Sequence, residues 1–114
     1  MVIESYQFGR IVIDGAEYQE DVIICAGRVH TGWWRKQGHR LDLHDLEAVL
    51  EAGPSVLVIG CGASAMMQVP ESTLTALQQA GIKAEVLDTP AAVARFNELQ
   101  SQGINVAAAL HLTC

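Results

Sequence analysis

A glycine-rich stretch at residues 60–64, which reads Gly-Cys-Gly-Ala-Ser, is where backbone and side chains together could do chemistry in this sequence. It follows an apolar run, and α/β sheets bind ligands just beyond the ends of such strands. A dinucleotide-binding loop would need a third glycine and a helix that begins at once, and neither is present. We treat Gly60, Cys61, Gly62 and Ser64 as a candidate small-molecule pocket. The alternative is that the glycines only turn the chain away from the sheet.

Two nucleophiles lie within that stretch. Ser64 lacks the following glycine that a nucleophile elbow requires, and no particular His and acid pair can be assigned to it. Cys61 would be reactive if backbone amides lowered its pKa and inert if burial raised it, and we expect the inert state. No Cys-x-x-C pair occurs among Cys25, Cys61 and Cys114, so redox exchange has little support.

The four histidines do not fall at spacings typical of metal sites. None forms His-x-x-x-His or joins a cysteine pair at zinc-ligand spacing. We therefore predict neither a metal nor another cofactor. His39 and His44 flank a predicted helix start and could meet in space, and His39 or His111 could reach into the glycine-rich stretch.

The segment Trp33-Trp34-Arg35 indicates recognition rather than catalysis. It lies in residues 27–40, which are predicted to be a loop or an irregular edge strand. Adjacent side chains on an extended segment point to opposite faces, so the two indoles can hardly share one core. Tryptophan and arginine are enriched at energetic hot spots of interfaces, so Trp33, Trp34 and Arg35 are predicted to dock a partner, with an exposed indole. The alternative is that one ring caps the core and the other lies on a neighbouring arginine or lysine stem.

Short strands punctuated by glycine are predicted to open the chain. Residues 3–8, 10–14 and 21–25 are rich in β-branched and aromatic side chains and form a predicted β-meander. Asp14-Gly15 is the dipeptide that a type I′ hairpin favours, because both turn positions need positive φ.

The second half of the chain alternates strands with helices. Asp42 is a predicted helix N-cap, while Pro70 and Pro90 are predicted at first helical positions. The predicted elements are a helix that stops near residue 53, a strand at 55–59, a helix at 70–80, a strand at 83–87, a helix at 89–102 and a strand at 104–111. This β-α-β-α-β order predicts right-handed crossovers and a small parallel or mixed sheet on which the meander packs.

Composition limits the class of protein and its partners. The 114 residues fit a single domain over 1–114, and half of them are apolar, which is enough to form a core. The formal charge of -6 repels phosphate backbones and anionic lipids, so no nucleic-acid partner is predicted. No apolar run approaches the roughly 20 residues that cross a bilayer, and nothing resembles a signal peptide. Three unpaired cysteines favour a reducing, cytoplasmic setting.

Several stretches taken together resemble one known family. They are residues 5–9 (Ser-Tyr-Gln-Phe-Gly), 33–39 (Trp-Trp-Arg-Lys-Gln-Gly-His), 60–62 (Gly-Cys-Gly), 88–92 (Asp-Thr-Pro-Ala-Ala) and 109–114 (Ala-Leu-His-Leu-Thr-Cys). In order and spacing they resemble the Mth-type domain family, which includes an assembly factor of respiratory complex I. The resemblance implies a three-layer α/β fold with a central mixed sheet, and it supplies no catalytic residues.

Two kinds of function follow. The first is a noncatalytic protein-interaction domain, assembly-factor-like as the resemblance implies, that docks through residues 33–35. The second is a small-molecule-binding or enzymatic domain with a concave pocket at residues 60–64. A homodimer that buries the tryptophans is a further possibility, since symmetric dimers are the commonest oligomers.

Overall fold

Three short antiparallel strands form a meander at the start of the computed structural model, which describes residues 1–114. They are β1 (Ile3–Gln7), β2 (Arg10–Ile13) and β3 (Ala16–Tyr18). Asp14 and Gly15 join β2 to β3 with φ values of 48° and 81°, so both turn positions are left-handed. The predicted hairpin is confirmed.

A five-stranded mixed sheet forms the centre of the molecule. Its strands are β4 (Val22–Cys25), β5 (Arg28–Thr31), β6 (Val56–Gly60), β7 (Lys83–Leu87) and β8 (Val106–Leu110), in the spatial order β5-β4-β8-β6-β7. Strand β6 is parallel to β7 and β8, and β4 is antiparallel to β5 and β8. One prediction is corrected: residues 21–25 belong to this sheet and not to the meander. All four residues of β4 are buried, because a central strand is covered on both faces.

Four helical elements follow the predicted order. They are a 3₁₀ helix (Leu43–Leu46) that continues into α1 (Glu47–Ala52), then α2 (Glu71–Gln79) and α3 (Thr89–Ser101). The prolines sit one position away from the predicted ones: Pro70 is the N-cap of α2, with an extended ψ of 149°, and Pro90 is the second residue of α3. The N-cap of α3 is Asp88, whose carboxylate accepts the Ala91 N–H at 2.8 Å.

The central sheet is covered on both faces, which gives three layers. Strand β8 shows why both covers pack closely, since its Ala107, Ala108 and Ala109 leave no side chain beyond Cβ on either face. On one face α3 and the meander pack around Phe96. On the other face the 3₁₀ helix, α1 and α2 pack around Leu57 and neighbouring aliphatic side chains. None of the helices combines the length and apolar composition needed to span a bilayer.

Parallel pairing brings the carboxyl ends of β6, β7 and β8 to one edge of the sheet. There the His111 N–H donates to the Gly60 carbonyl at 2.9 Å, and the Cys61 N–H donates to the Leu87 carbonyl at 2.8 Å. The glycine-rich stretch and the segment after β8 therefore lie side by side.

Candidate functional site

A polar cluster of the partly buried Asp21 and the buried Arg35 and His111 lies beyond the end of β8. Asp21 Oδ2 is 2.8 Å from Arg35 Nη1 and 2.8 Å from His111 Nδ1, and Asp21 Oδ1 accepts the Leu112 N–H at 2.7 Å. Arg35 Nη2 is 3.0 Å from the same His111 nitrogen. Three distant parts of the chain thus meet at one carboxylate, and we call these residues the Asp21 cluster.

The Asp21 cluster is electrostatically satisfied. Burial alone would raise the pKa of the Asp21 carboxyl, but hydrogen bonds from His111, from the Leu112 N–H and from Arg35 together hold that pKa below its usual value. No buried side-chain nitrogen or oxygen of the protein lacks a hydrogen-bond partner. The cluster therefore holds a charged acid against a charged base without leaving a polar group free to act on a ligand.

The Asp21 cluster holds Arg35, one of the predicted docking residues, inside the protein. Arg35 is only 7% exposed, and its Nε and Nη2 also donate to the Gly38 carbonyl at 2.9 and 2.8 Å. Its guanidinium lies over the Trp33 ring, 4.7 Å from the centroid. Arg35 is an internal anchor that fixes the loop on which both tryptophans are carried.

The two tryptophans have opposite environments, as alternation along an extended segment requires. The Trp33 indole is half-buried and donates its Nε1–H to the Asp45 carbonyl at 2.9 Å. The Trp34 side chain is 78% exposed, the largest exposed fraction among the large apolar side chains. Of the three predicted docking residues, only Trp34 presents most of its surface to solvent.

The glycine-rich stretch, where a pocket was predicted, is closely packed in the structure. Gly60, Cys61 and Gly62 are buried, and only Ser64 of the four predicted residues is exposed. Residues 113–114 cover the stretch: the Thr113 carbonyl accepts the Ala63 N–H at 2.7 Å, and the Cys114 carbonyl accepts the Met66 N–H at 2.9 Å. The glycines are needed because a Cβ on Gly62 would overlap the Cys114 backbone.

The neighbouring side chains keep this region closed. The Thr89 hydroxyl accepts the Gly62 N–H at 2.8 Å and donates to the His111 carbonyl at 2.6 Å. Burial raises the pKa of the Cys61 thiol, an effect that the charge of Arg35 only partly offsets. His39 does not reach into a pocket but packs its ring edge-to-face against His111, with centroids 5.7 Å apart.

Trp34 borders an open groove on the protein surface. Two shallow depressions share His30 and Ala48 and run end to end between β5 and α1. We call them together the Trp34 groove. Its lining consists of Ile23, Cys25, Ala26, Arg28, His30, Trp33, Trp34, Lys36, His44, Asp45, Glu47, Ala48, Glu51 and Ala52.

Charge is distributed unevenly across the Trp34 groove. Arg28 lies on β5 and Lys36 in the loop that follows it, and neither forms a salt bridge, whereas four of the other five basic side chains, Arg10, Arg35, Arg40 and Arg95, are paired with carboxylates. Glu47 and Glu51 lie on the α1 side. An acidic protein thus places two unpaired cations and its most exposed indole along one groove.

A cluster of Asp42, His44 and Asp45 brings three potential metal ligands within 4.8 Å of one another. Its carboxylates already have other partners. The Asp45 oxygens accept the N–H groups of Lys36 and Asp42 at 3.2 and 2.9 Å, and Asp42 Oδ1 accepts Arg40 Nε at 2.9 Å. These bonds explain the cluster as the cap of the 3₁₀ helix.

Sequence reasoning missed Asp21 entirely. The residue lies at the start of an apolar run, where a single acid is usually solvated. Its partners lie 14 and 90 residues away along the chain, so no local spacing brings them together. The sequence offered one signal for this cluster: His111 ends a predicted strand, and Arg35 lies in a predicted loop.

Comparison with known proteins identifies both a family and a shared fold. A family profile described as "Protein of unknown function (DUF498/DUF598)" matches residues 3–111. The conserved hypothetical protein PH1505 of Pyrococcus horikoshii is 26% identical with a TM-score of 0.84, and the similarity covers 100% of both chains. This match confirms the three-layer α/β fold.

Two further solved structures share the fold. A protein of Bartonella henselae described as an outer membrane protein is 25% identical with a TM-score of 0.85, and the match covers 98% of this chain and 94% of that one. A Bordetella pertussis protein described as an Mth938-like domain is 20% identical with a TM-score of 0.71 over 97% of this chain and 85% of that one. The resemblance to Mth-type domains is thereby confirmed.

Proposed function

The chain belongs to the DUF498/DUF598 family of proteins of unknown function, and we propose that this member is a noncatalytic protein-interaction domain that docks a partner protein at the Trp34 groove. The exposure of Trp34 carries the proposal. Burying an indole that is 78% exposed removes a large apolar surface from water, and tryptophans of this kind dominate the energetics of interfaces.

Arg35 supports this function because it fixes the loop that carries Trp34. Because its guanidinium is fixed by Asp21 and by two hydrogen bonds to the Gly38 carbonyl, the loop around it loses little conformational freedom when a partner binds. A preorganised loop lowers the entropic cost of association. Trp34 is therefore carried by a rigid loop.

The rest of the molecule supports a noncatalytic role. The thiol of Cys61 is buried, His111 is held within the Asp21 cluster, and the glycine-rich stretch is covered by residues 113–114. A catalytic site needs an open position at which substrate meets nucleophile or base. An assembly-factor-like protein needs only a surface that holds its partner. The three free thiols support a cytoplasmic location as part of the same proposal.

Site-specific photocrosslinking tests this function. The folded protein with benzoylphenylalanine in place of Trp34 is incubated with an extract of the cells that naturally produce it and is then irradiated. It should form a crosslink to one discrete partner protein. The matched control carries the same probe at Phe8, another exposed aromatic side chain, which is 66% exposed and lies at the β1–β2 turn in a different layer.

The outcomes separate clearly. An adduct at position 34 that is absent at position 8 and is competed away by unlabelled protein, but not by a Trp34→Ala variant, supports the proposal. Equal adducts at both positions would mean that capture follows exposure alone, and no adduct at position 34 would remove the proposed docking surface.

A further inference from the structure

The edge of the central sheet along β5 carries an open row of backbone hydrogen-bonding groups. Strand β5 pairs with β4 through a two-residue turn in which Cys25 faces Arg28. Pairs beside such a turn exchange hydrogen bonds, and the pattern alternates along the hairpin. The His30 backbone therefore points inward to β4, whereas the N–H and C=O groups of Val29 and Thr31 point outward.

Nothing in the protein covers that row. No strand lies beyond β5 in the sheet, and no loop backbone group bonds to Val29 or Thr31. Proteins usually protect such an edge with a bulge, a proline or a covering loop. Here the edge runs straight into Gly32 and the exposed Trp34.

The side chains on the groove face of β5 are basic. Arg28 and His30 are opposite Cys25 and Ile23, so both project to the face that carries α1, and both line the Trp34 groove. Both are exposed, and Arg28 has no salt-bridge partner. Helix α1 packs on β4, and its Glu47 and Glu51 line the groove together with His30 and Arg28, but neither glutamate forms a salt bridge with Arg28.

We propose that β5 binds an extended segment of the partner protein by β-strand addition, and that this segment carries acidic side chains at alternate positions opposite Arg28 and His30. The inference rests on the proposed docking function and specifies its partner. In antiparallel addition, residues opposite Arg28 and His30 form pairs without mutual hydrogen bonds, in which side chains approach most closely. Main-chain bonds to Val29 and Thr31 provide affinity, and the charge pair at Arg28 together with a hydrogen bond from the His30 imidazole N–H provides specificity.

Charge argues against a second copy of this chain as the occupant. Antiparallel self-pairing centred on His30 places the two His30 side chains opposite each other, with both Arg28 side chains on the same face. Self-pairing centred on Val29 places each Arg28 opposite the other copy's His30. In neither register does an acidic side chain of the other copy lie opposite Arg28 or His30, so self-pairing offers these side chains no charge complementarity.

A peptide pair provides the direct test. The probe is an acetylated, amidated heptapeptide, Thr-Glu-Val-Glu-Val-Glu-Thr, and its control has lysine in place of every glutamate. Titration into ¹⁵N-labelled protein should shift the amide resonances of Val29 and Thr31, slow their hydrogen exchange, and leave β7 unchanged. One favourable charge pair is worth up to about fivefold in affinity, and the lysine peptide also places like charges opposite each other, so it should bind about five- to tenfold more weakly.

N-methylation separates strand addition from simple charge attraction. Methyl groups on the valine nitrogens, which face β5 in the proposed register, should abolish binding, whereas methyl groups on the glutamate nitrogens, which face away, should spare it. Loss of peptide binding with both methylation patterns, or with neither of them, would overturn β-strand addition.

Two variants of the protein complete the test. Thr31→Pro removes an outward N–H without removing a bond to β4, and proline is tolerated on edge strands, so this variant should fold and lose peptide binding. The double variant R28E/H30E should retain the edge and prefer the lysine peptide. Unchanged preference in R28E/H30E would overturn the acidic partner.

Failure of this inference is distinguishable from failure of the proposed function. A crosslink from position 34 that survives in Thr31→Pro would keep the docking function and reject strand addition. A dimer seen by sedimentation that dissociates in Thr31→Pro would assign the edge to a second copy and overturn the proposal.

Discussion

Asp21 connects three separate parts of the chain, because its two carboxylate oxygens serve Arg35, His111 and the Leu112 N–H. A buried acid with several donors is costly to neutralise, since its partners remain buried after the charge is removed. Its contribution is therefore best measured by removing the charge while keeping the shape.

We expect Asp21→Asn to lower the free energy of unfolding by about 3 kcal/mol, because it leaves the Arg35 guanidinium buried without a counter-charge. Urea denaturation measures this change. Glu17→Gln is the matched control, because it breaks the exposed ion pair with Arg10 and should change stability little. Similar losses in the two variants would contradict an interior role for Asp21.

Cysteine reactivity tests the closed state of the glycine-rich stretch. Burial raises the pKa of the Cys25 and Cys61 thiols, and both residues are buried, whereas Cys114 is exposed. We expect iodoacetamide to label Cys114 alone in the native protein and all three thiols in urea, as read by peptide mass spectrometry. Rapid native labelling of Cys61 would show an open pocket.

Elements joined by tight turns were predictable from the sequence, because their signals are local. The Asp14-Gly15 hairpin and the strand Lys83–Leu87 need only a dipeptide or a short apolar run to be identified. The assignment of Val22–Cys25 to the central sheet was not predictable in this way, because the strand pairs with β8, which lies near the other end of the chain. The candidate site shows the same division: Trp34 was found locally, and Asp21 depends on contacts across the chain.

Gly62 connects the glycine-rich stretch to the segment that covers it. We expect Gly62→Ala to destabilise the protein by about 2 kcal/mol or more, because φ at this position is +106° and the added Cβ would lie 2.9 Å from the Thr113 carbonyl oxygen. Gly15→Ala is the control, since φ is +81° but no atom lies within 4 Å of the new Cβ. Its cost should be only the backbone strain of about 1 kcal/mol.

These expectations are checked by thermal denaturation of the two alanine variants beside the native sequence. Gly62→Ala should also increase the native labelling of Cys61, because residues 113–114 can no longer cover the stretch. Equal stability of the two variants would mean that the covering segment does not pack as tightly as its hydrogen bonds to Ala63 and Met66 indicate.

At the scale of the whole molecule, the two edges of the central sheet, β5 and β7, differ in how their charged side chains are paired. The β7 edge carries Glu85 and Lys83, and Glu85 is tied to Arg95 of α3, so charge is fixed next to that edge. The β5 edge has no such pairing and leads directly to Trp34. The covering layers stabilise the interior, and the β5 edge is the one that continues into the proposed docking surface.

Acid stability links the Asp21 cluster to the fold as a whole. The Asp21 carboxyl has a lower pKa in the folded protein than in the unfolded chain, where an aspartate titrates near about pH 4, so its contribution is fully present above that pH. The contribution is lost as the pH falls through the folded pKa. We therefore expect the stability difference between the native sequence and Asp21→Asn to stay constant from about pH 7 to 5 and to narrow below about pH 4.

Urea midpoints measured across that range provide the readout, with Glu17→Gln again as the control. The pKa values of Glu85 and Glu17 are also lowered, chiefly by hydrogen bonds from Arg95 and Arg10. The native sequence and Asp21→Asn both retain these two glutamates and their contribution to stability. The stability that these glutamates lose in acid is therefore the same in both proteins, and the difference in the free energy of unfolding reports Asp21. A difference that stays constant down to about pH 3 would mean that the Asp21 charge does not hold the cluster together, and that the loop carrying Trp34 is fixed by its other hydrogen bonds, such as those from Arg35 to Gly38 and from Trp33 to Asp45.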